Sequence, residues 1–156
     1  MHLCFLLYVK GIIAAVFGVK KEFLLAYFTA RRCHRRTGGM MEYLLVLNDS
    51  PYGSQRTYNA LRLAGALAKG TPSQVSVFLL GDGVVSGLRR QAPSDASYNV
   101  QEMLRLLAEQ GISIGACRTC LEARGIDDGA LVAGIKRRTL DDLRTWTEEA
   151  TKVLVF

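Results

Sequence analysis

Two thiols three residues apart, Cys117 and Cys120, carry the strongest chemical signal in this chain. They lie in Gly115-Ala116-Cys117-Arg118-Thr119-Cys120-Leu121-Glu122-Ala123-Arg124-Gly125-Ile126. One arginine stands between them and another follows Cys120 by four residues. Just upstream, the alternation Ile112-Ser113-Ile114 reads as a strand nearing its end. A nucleophile placed where a strand gives way to a helix or tight loop is presented at the sheet rim, where backbone N–H groups favour an anion. Arg118 and Arg124 are expected to push the same way, towards the thiolate that does the attacking.

The rest of the composition leaves that pair with few competitors. The 156 residues make one domain's worth of chain, and 49% apolar with 22% charged residues is an ordinary globular balance. The net charge of +6 belongs wholly to residues 1–40, which hold seven of the 20 basic and one of the 14 acidic side chains. Residues 41–156 hold 13 of each sign and are neutral, so they offer nucleic acid no general attraction and no such partner is expected. Both histidines, His2 and His34, precede Met40, which removes Ser-His, Cys-His and His-metal chemistry from the remainder. Of four cysteines, Cys4 and Cys33 are also in the leader. Two neighbouring cysteines cannot staple a domain, so the pattern suits a reducing cytoplasm with working thiols. A zinc site takes about four ligands and two cysteines supply half unless subunits share them, so neither metal nor cofactor is expected.

Residues 1–40 read as an extension outside the fold. Leu3–Val9 and Gly11–Val19 are apolar but Lys10 divides them, and Lys20-Lys21-Glu22 separates them from Phe23–Phe28. No run reaches the about 18–20 uninterrupted apolar residues of a membrane span. The basic cluster follows the apolar segment, the reverse of a signal peptide. The expectation is that translation starts at Met40-Met41. The alternative is a membrane-proximal segment, with its basic end in the cytoplasm.

From Met41 onward strands alternate with helices. Tyr43–Leu47 is a continuous apolar run, as for a strand covered on both faces. Ser50 and Pro51 read as the N-cap and first residue of a helix over Tyr52–Lys69, with Tyr58, Leu61, Ala64, Gly65 and Ala68 inward and Gly70-Thr71-Pro72 as its stop. Gln74–Leu80 is the second strand. Gly81-Asp82-Gly83-Val84-Val85-Ser86-Gly87 invites a dinucleotide reading, but its third glycine comes one residue late, and a strand-to-helix turn is the simpler one. Leu88–Ser97 is a surface loop able to border a site, and Val100, Met103, Leu104 and Leu107 line a helix that Gly111 ends. After the cysteine strand, Gly125–Gly129 is a turn and Leu131–Ile135 an apolar piece that the pattern does not type. Thr139 and Asp142 form a capping box for a helix with Leu140, Leu143, Trp146 and Ala150 inward, and Lys152–Phe156 is the last strand. This order predicts an α/β three-layer sandwich, a mostly parallel sheet of about five strands with helices on both faces. Sites in such sheets lie beyond the carboxyl ends of strands. Asn48, Tyr52, Gly53, Gly81 and Asp82 at two of those ends, with Arg118 and Arg124, are therefore candidate binding residues around Cys117 and Cys120.

Several stretches, in order, resemble the DsrE/DsrF-like family of sulfur-relay proteins. They are Asn48–Gly53 with the Asn59–Ala64 helix, the Gly81-Asp82 turn, Ala116-Cys117-x-x-Cys120-x-x-Ala123-Arg124-Gly125-Ile126, and Ala150-x-x-Val153-Leu154-Val155-Phe156. The resemblance covers 41–156 and none of 1–40. It implies that the cysteine eight residues before the Arg-Gly glycine, Cys117, carries sulfane sulfur as a persulfide. Cys120 matches a second cysteine present in only some relatives. The resemblance also implies a homotrimer or homohexamer, with sulfur donor and acceptor proteins or small persulfides as partners.

The expected activity is thus a sulfurtransferase-like carrier that loads Cys117 and passes the sulfur to an acceptor thiol, with Cys120 either resolving the persulfide or only lining the pocket. The alternatives are a Cys-x-x-Cys thiol–disulfide redox protein and a non-catalytic oligomeric binding module. If residues 1–40 lie outside the native protein, its intact mass from its own cells matches a start at Met40 or Met41; a mass that includes residues 1–39 overturns that expectation.

Overall fold

The structure, a computed structural model, describes residues 40–70, 73–93 and 96–156. The expectations for His2, Cys4, Cys33, His34 and the rest of the extension up to Gly39, and for Thr71-Pro72 as a helix stop, lie outside these residues. The described strands are β1 (Met41–Leu47), β2 (Ser73–Leu79), β3 (Ser113–Cys117), β4 (Ile135–Arg138) and β5 (Lys152–Val155). They form one sheet in the order β4-β3-β2-β1-β5, and every pairing is parallel. The helices are α1 (Arg56–Lys69), α2 (Val100–Glu109), α3 (Arg118–Glu122) and α4 (Leu140–Glu149).

The strand order follows from handedness. From β1 to β4 each strand is added on the same side of its predecessor, so right-handed crossovers put their connections, α1 and α2 included, on one face. The step from β4 back to β5 runs the other way and carries α4 to the opposite face. There Trp146 meets Phe78 edge-on, with ring centroids 5.9 Å apart. Gly115 makes room for this contact, since a Cβ on it would lie 3.3 Å from the Trp146 ring and 2.9 Å from Arg138 Cγ. The sheet has helices on both faces, as the alternation predicts. Leu44, Leu45, Leu47, Val77, Phe78 and Leu79 are buried at its centre with Leu61, Ala64 and Leu104 from α1 and α2.

Register sets the carboxyl rim. Leu47 lies beside Leu79, and Leu79 beside Ala116, so β1, β2 and β3 end almost level. Gly83 then packs directly on the end of β1, donating its N–H to the Asn48 carbonyl at 2.9 Å. A Cβ there would stand 2.1 Å from the Leu47 carbonyl oxygen. Gly81 takes φ +57° to turn the chain off β2. The glycines of Gly-Asp-Gly thus serve a tight turn, and the chain continues as a 3-10 segment over Gly81–Gly87 rather than an α-helix.

Three expectations need correction. The first helix begins at Arg56, not Tyr52, and its N-cap is Gln55, which makes no capping bond, rather than Ser50. Asp49 organises residues 49–57 as a turn instead: its carboxylate accepts from Ser54 Oγ and its carbonyl from Thr57 Oγ1, both at 2.7 Å. Tyr52 at φ +65° could not continue a right-handed helix. The buried stripe of α1 is Thr57, Ala60, Leu61 and Ala64, while Tyr58 is half-buried and Ala68 exposed. Second, the untyped piece after Leu131 leads into β4, a short edge strand (Ile-Lys-Arg-Arg) whose charges mask its period. Third, the Thr139/Asp142 capping box forms, but Leu140 is 59% exposed and only Leu143, Trp146 and Ala150 turn inward. Leu140 stands in the first turn beside the edge strand, where no layer covers it.

Gly83→Ala is expected to lose about 1–3 kcal/mol, the range for overpacking, because the obstructing atom is backbone and cannot rotate away. Thermal unfolding against Gly129→Ala, at an exposed position with nothing within 4 Å of the new Cβ, checks this; equal melting temperatures would contradict it.

Candidate functional site

Cys117 is the last residue of β3 and the N-cap of α3, so its side chain leaves the sheet at the rim that register and the Gly83 contact build. It is 2% exposed and unpaired by any disulfide; Cys120 is half-buried and also free. Burial pushes the Cys117 thiol up, but hydrogen bonds from the Cys120 thiol, the Thr119 hydroxyl and the N–H groups of Cys120 and Thr119 outweigh it and hold it below an ordinary cysteine. The Thr119 hydroxyl lies 3.3 Å from the sulfur. Cys120 shifts the other way: burial raises it, and the Cys117 sulfur, by accepting its proton, raises it further. The Gly81 N–H, which donates to Cys120 Sγ at 3.3 Å, offsets only part of this. Of the two, Cys117 therefore gives up its proton more readily than an ordinary cysteine and Cys120 less readily.

The two arginines are occupied elsewhere. Arg118 is exposed and pairs with Glu122, one turn along α3, at 3.9 Å. Arg124 pairs with the Asp82 carboxylate and donates to the Cys120 carbonyl at 3.0 Å. Hydrogen-bond donors next to the sulfur, rather than the expected guanidinium charges, lead the causes that lower Cys117. Arg124 and Asp82 act instead as a clamp between α3 and the turn after β2. On the far side of the same loop, Arg137 bonds the Asp128 carboxylate at 2.6 Å and the Ile126 carbonyl at 3.2 Å, and reaches Glu122 at 3.5 Å.

The candidate residues divide into two groups. Gly81 and Asp82 contact the cysteine segment, and Asn48 joins them through its carbonyl to Gly83. Tyr52 faces another way, its hydroxyl donating to Gln91 Oε1 at 2.7 Å and accepting from the Val100 N–H at 3.4 Å. Gly53 lies in the exposed turn beside it. The Leu88–Ser97 loop does border a surface depression, of about 590 Å³ and lined by Arg89, Arg90, Asp127 and Ala130 among others, but neither cysteine lines it. Thr119, Gln91 and Arg137 were not singled out by sequence reasoning. For Thr119 the available signal was a hydroxyl between two thiols, whereas Gln91 and Arg137 act across the fold and leave no local mark. Among the described residues no cluster of three or more His, Cys, Asp or Glu side chains could hold a metal ion, and no helix is long and apolar enough to cross a membrane.

The profile of the DsrE/DsrF-like family matches residues 41–156. Protein YchN of Escherichia coli K12 is 41% identical over 118 residues, 75% of this chain and 100% of the relative. A sulfurtransferase TusD homolog of Vibrio vulnificus CMCP6 is 32% identical over 87 residues, 55% of this chain and 66% of that protein. The crystal structure of the E. coli ychN protein superposes with a TM-score of 0.71, over 75% of this chain and all of that one. A protein of unknown function from Methanobacterium thermoautotrophicum, 18% identical, shares the fold with a TM-score of 0.59 over 74% of this chain and 99% of its own.

The opposite shifts have a pH consequence. As pH falls, Cys117 keeps its thiolate to a lower pH than an ordinary cysteine, whereas Cys120 loses its own at a higher one. NMR titration of the protein labelled with carbon-13 at cysteine Cβ follows both thiols without removing either, and the Cys117 midpoint is expected below that of Cys120. Thr119→Val is expected to move the Cys117 midpoint upward; an unchanged midpoint would show that its hydroxyl does not hold the thiolate.

Proposed function

We propose, for a chain that belongs to the DsrE/DsrF-like family, that Cys117 is a persulfide carrier in a sulfur relay. The observation that carries this reading is one buried thiol at a strand end, its pKa lowered by four neighbouring donors, and bearing no disulfide. The Cys117 thiolate attacks the terminal sulfur of a donor persulfide. The donor's S–S bond breaks, the donor leaves as a thiolate, and Cys117 holds the outer sulfur. An acceptor thiolate then attacks that outer sulfur and Cys117 departs. A lowered pKa helps both halves, since it raises the thiolate fraction above that of an ordinary cysteine and makes Cys117 a better leaving group. Burial restricts access to donors that present sulfur on a slender arm and keeps bulk water from the stored sulfur.

The relatives named as sulfurtransferase homologues support a relay with donor and acceptor partners, and two free thiols suit a reducing cytoplasm. The family resemblance implies a trimer or hexamer, and the edge strand β5, where Val153 and Val155 are exposed, the latter at 66%, supports association of copies without specifying their number. Incubation with a small sulfane donor followed by intact mass is expected to add one sulfur atom to the protein and none to Cys117→Ser. Equal labelling of the two would overturn the assignment.

A further inference from the structure

We infer that Cys120 discharges the Cys117 persulfide within the same chain, releasing sulfide and closing a Cys117–Cys120 disulfide. This rests on the persulfide reading and adds to it a second exit for the sulfur, open when no acceptor thiol is bound.

Spacing permits the bond. Cys117 caps α3 and Cys120 lies in its first turn. Residues three apart on a helix have Cβ atoms about 5–6 Å apart and a disulfide needs about 3.5–4.5 Å, so closure requires the first turn to tighten by about 1–2 Å, and Cys117, at the N-cap, lies where the backbone is not yet held in the regular helix. The second observation is how firmly Cys120 is held. Its sulfur accepts the Gly81 N–H, its carbonyl accepts from Arg124, and Arg124 is ion-paired to Asp82, the neighbour of Gly81. The Gly-Asp turn and the Arg-Gly segment thus close around one residue. A cysteine serving only as apolar filling would have no use for an N–H aimed at its sulfur; a sulfur that must become a thiolate does.

Loading Cys117 changes the neighbour's situation. In the resting site the Cys117 sulfur accepts a hydrogen bond from the Cys120 thiol and so makes its proton harder to remove. In the persulfide the inner sulfur carries no charge, so that restraint is gone while the Gly81 donor remains. The Cys120 thiolate then attacks the inner sulfur of Cys117. The bond between inner and outer sulfur breaks, its electron pair leaves with the outer sulfur as HS⁻, and the proton given up by Cys120 is available to make H₂S. The outer sulfur is reduced by two electrons and the two cysteines are oxidised by two. An external dithiol resets the disulfide.

The test loads the full-length reduced protein with a small organic persulfide, removes the excess, and follows sulfide release and peptide masses without acceptor. The wild type is expected to release one sulfide per chain and to finish two hydrogens lighter than the reduced protein, with Cys117 and Cys120 in one cross-linked peptide. In Cys120→Ser and Cys120→Ala the extra sulfur stays on Cys117, and sulfide release slows at least tenfold; the readout is the fate of loaded sulfur, not the loading rate. Arg124 and Asp82 are positioning residues, so Arg124→Ala lowers the sulfide-to-persulfide ratio and Arg124→Lys recovers part of it. A wild type that keeps its persulfide as long as Cys120→Ser does, or that moves the sulfur onto Cys120 with no disulfide, overturns this inference and leaves the carrier reading standing. If no variant that retains Cys117 takes up sulfur, the carrier reading itself falls.

Discussion

The parallel register that sets Leu47 beside Leu79 and Leu79 beside Ala116 ends three strands on one line. Everything at the rim depends on it. A slip of two residues in β2, which keeps its faces, would carry Gly81 about 6–7 Å along the strand direction and away from Cys120. The level ends also bring the Leu47 carbonyl close enough to Gly83 that no larger residue fits between them. Backbone pairing, rather than side-chain affinity, therefore fixes where the Gly81 N–H and the Cys117 sulfur stand.

On that frame the charges do a different job from the obvious one. A basic residue beside a cysteine suggests direct stabilisation of the thiolate, yet Arg118 is spent on Glu122 and Arg124 on Asp82. Ion pairs at exposed positions contribute little stability one at a time, typically about 0–1 kcal/mol. Their use here is geometric: Arg124 ties α3 to the turn after β2, and Arg137 ties the following loop to Asp128 and the Ile126 carbonyl. The thiolate itself is left to short-range donors in a buried setting, where a hydrogen bond is worth more than at the surface.

Sequence patterns carried much of this because local rules and tertiary packing agreed. The apolar run Tyr43–Leu47 becomes a central strand, Thr139 and Asp142 form the capping box, and the alternation of elements yields the parallel sheet. Where they failed, a competing interaction won. Ser50-Pro51 carries the marks of a helix start, but Asp49 captures Ser54 and Thr57 in a turn, and α1 begins four residues later than Tyr52, at Arg56. β4 was illegible because a four-residue edge strand rich in arginine has no period to detect. The cysteines were visible as a pair, but the opposite directions of their shifts were not. These depend on how the side chains and N–H groups of Thr119 and Cys120 turn towards the Cys117 sulfur at the rim, which residue types and spacing do not reveal.

The neutral character of the donors around Cys117 has one more consequence. Mobile ions screen charge–charge interactions beyond roughly 8–10 Å at physiological salt, and at shorter range they still compete for exposed arginines. They have little hold on a neutral hydroxyl, a thiol and two amides. A sulfur site built this way keeps its pKa shift as ionic strength rises and falls, which suits the proposed carrier, since it would meet both free solution and the charged surfaces of its partners.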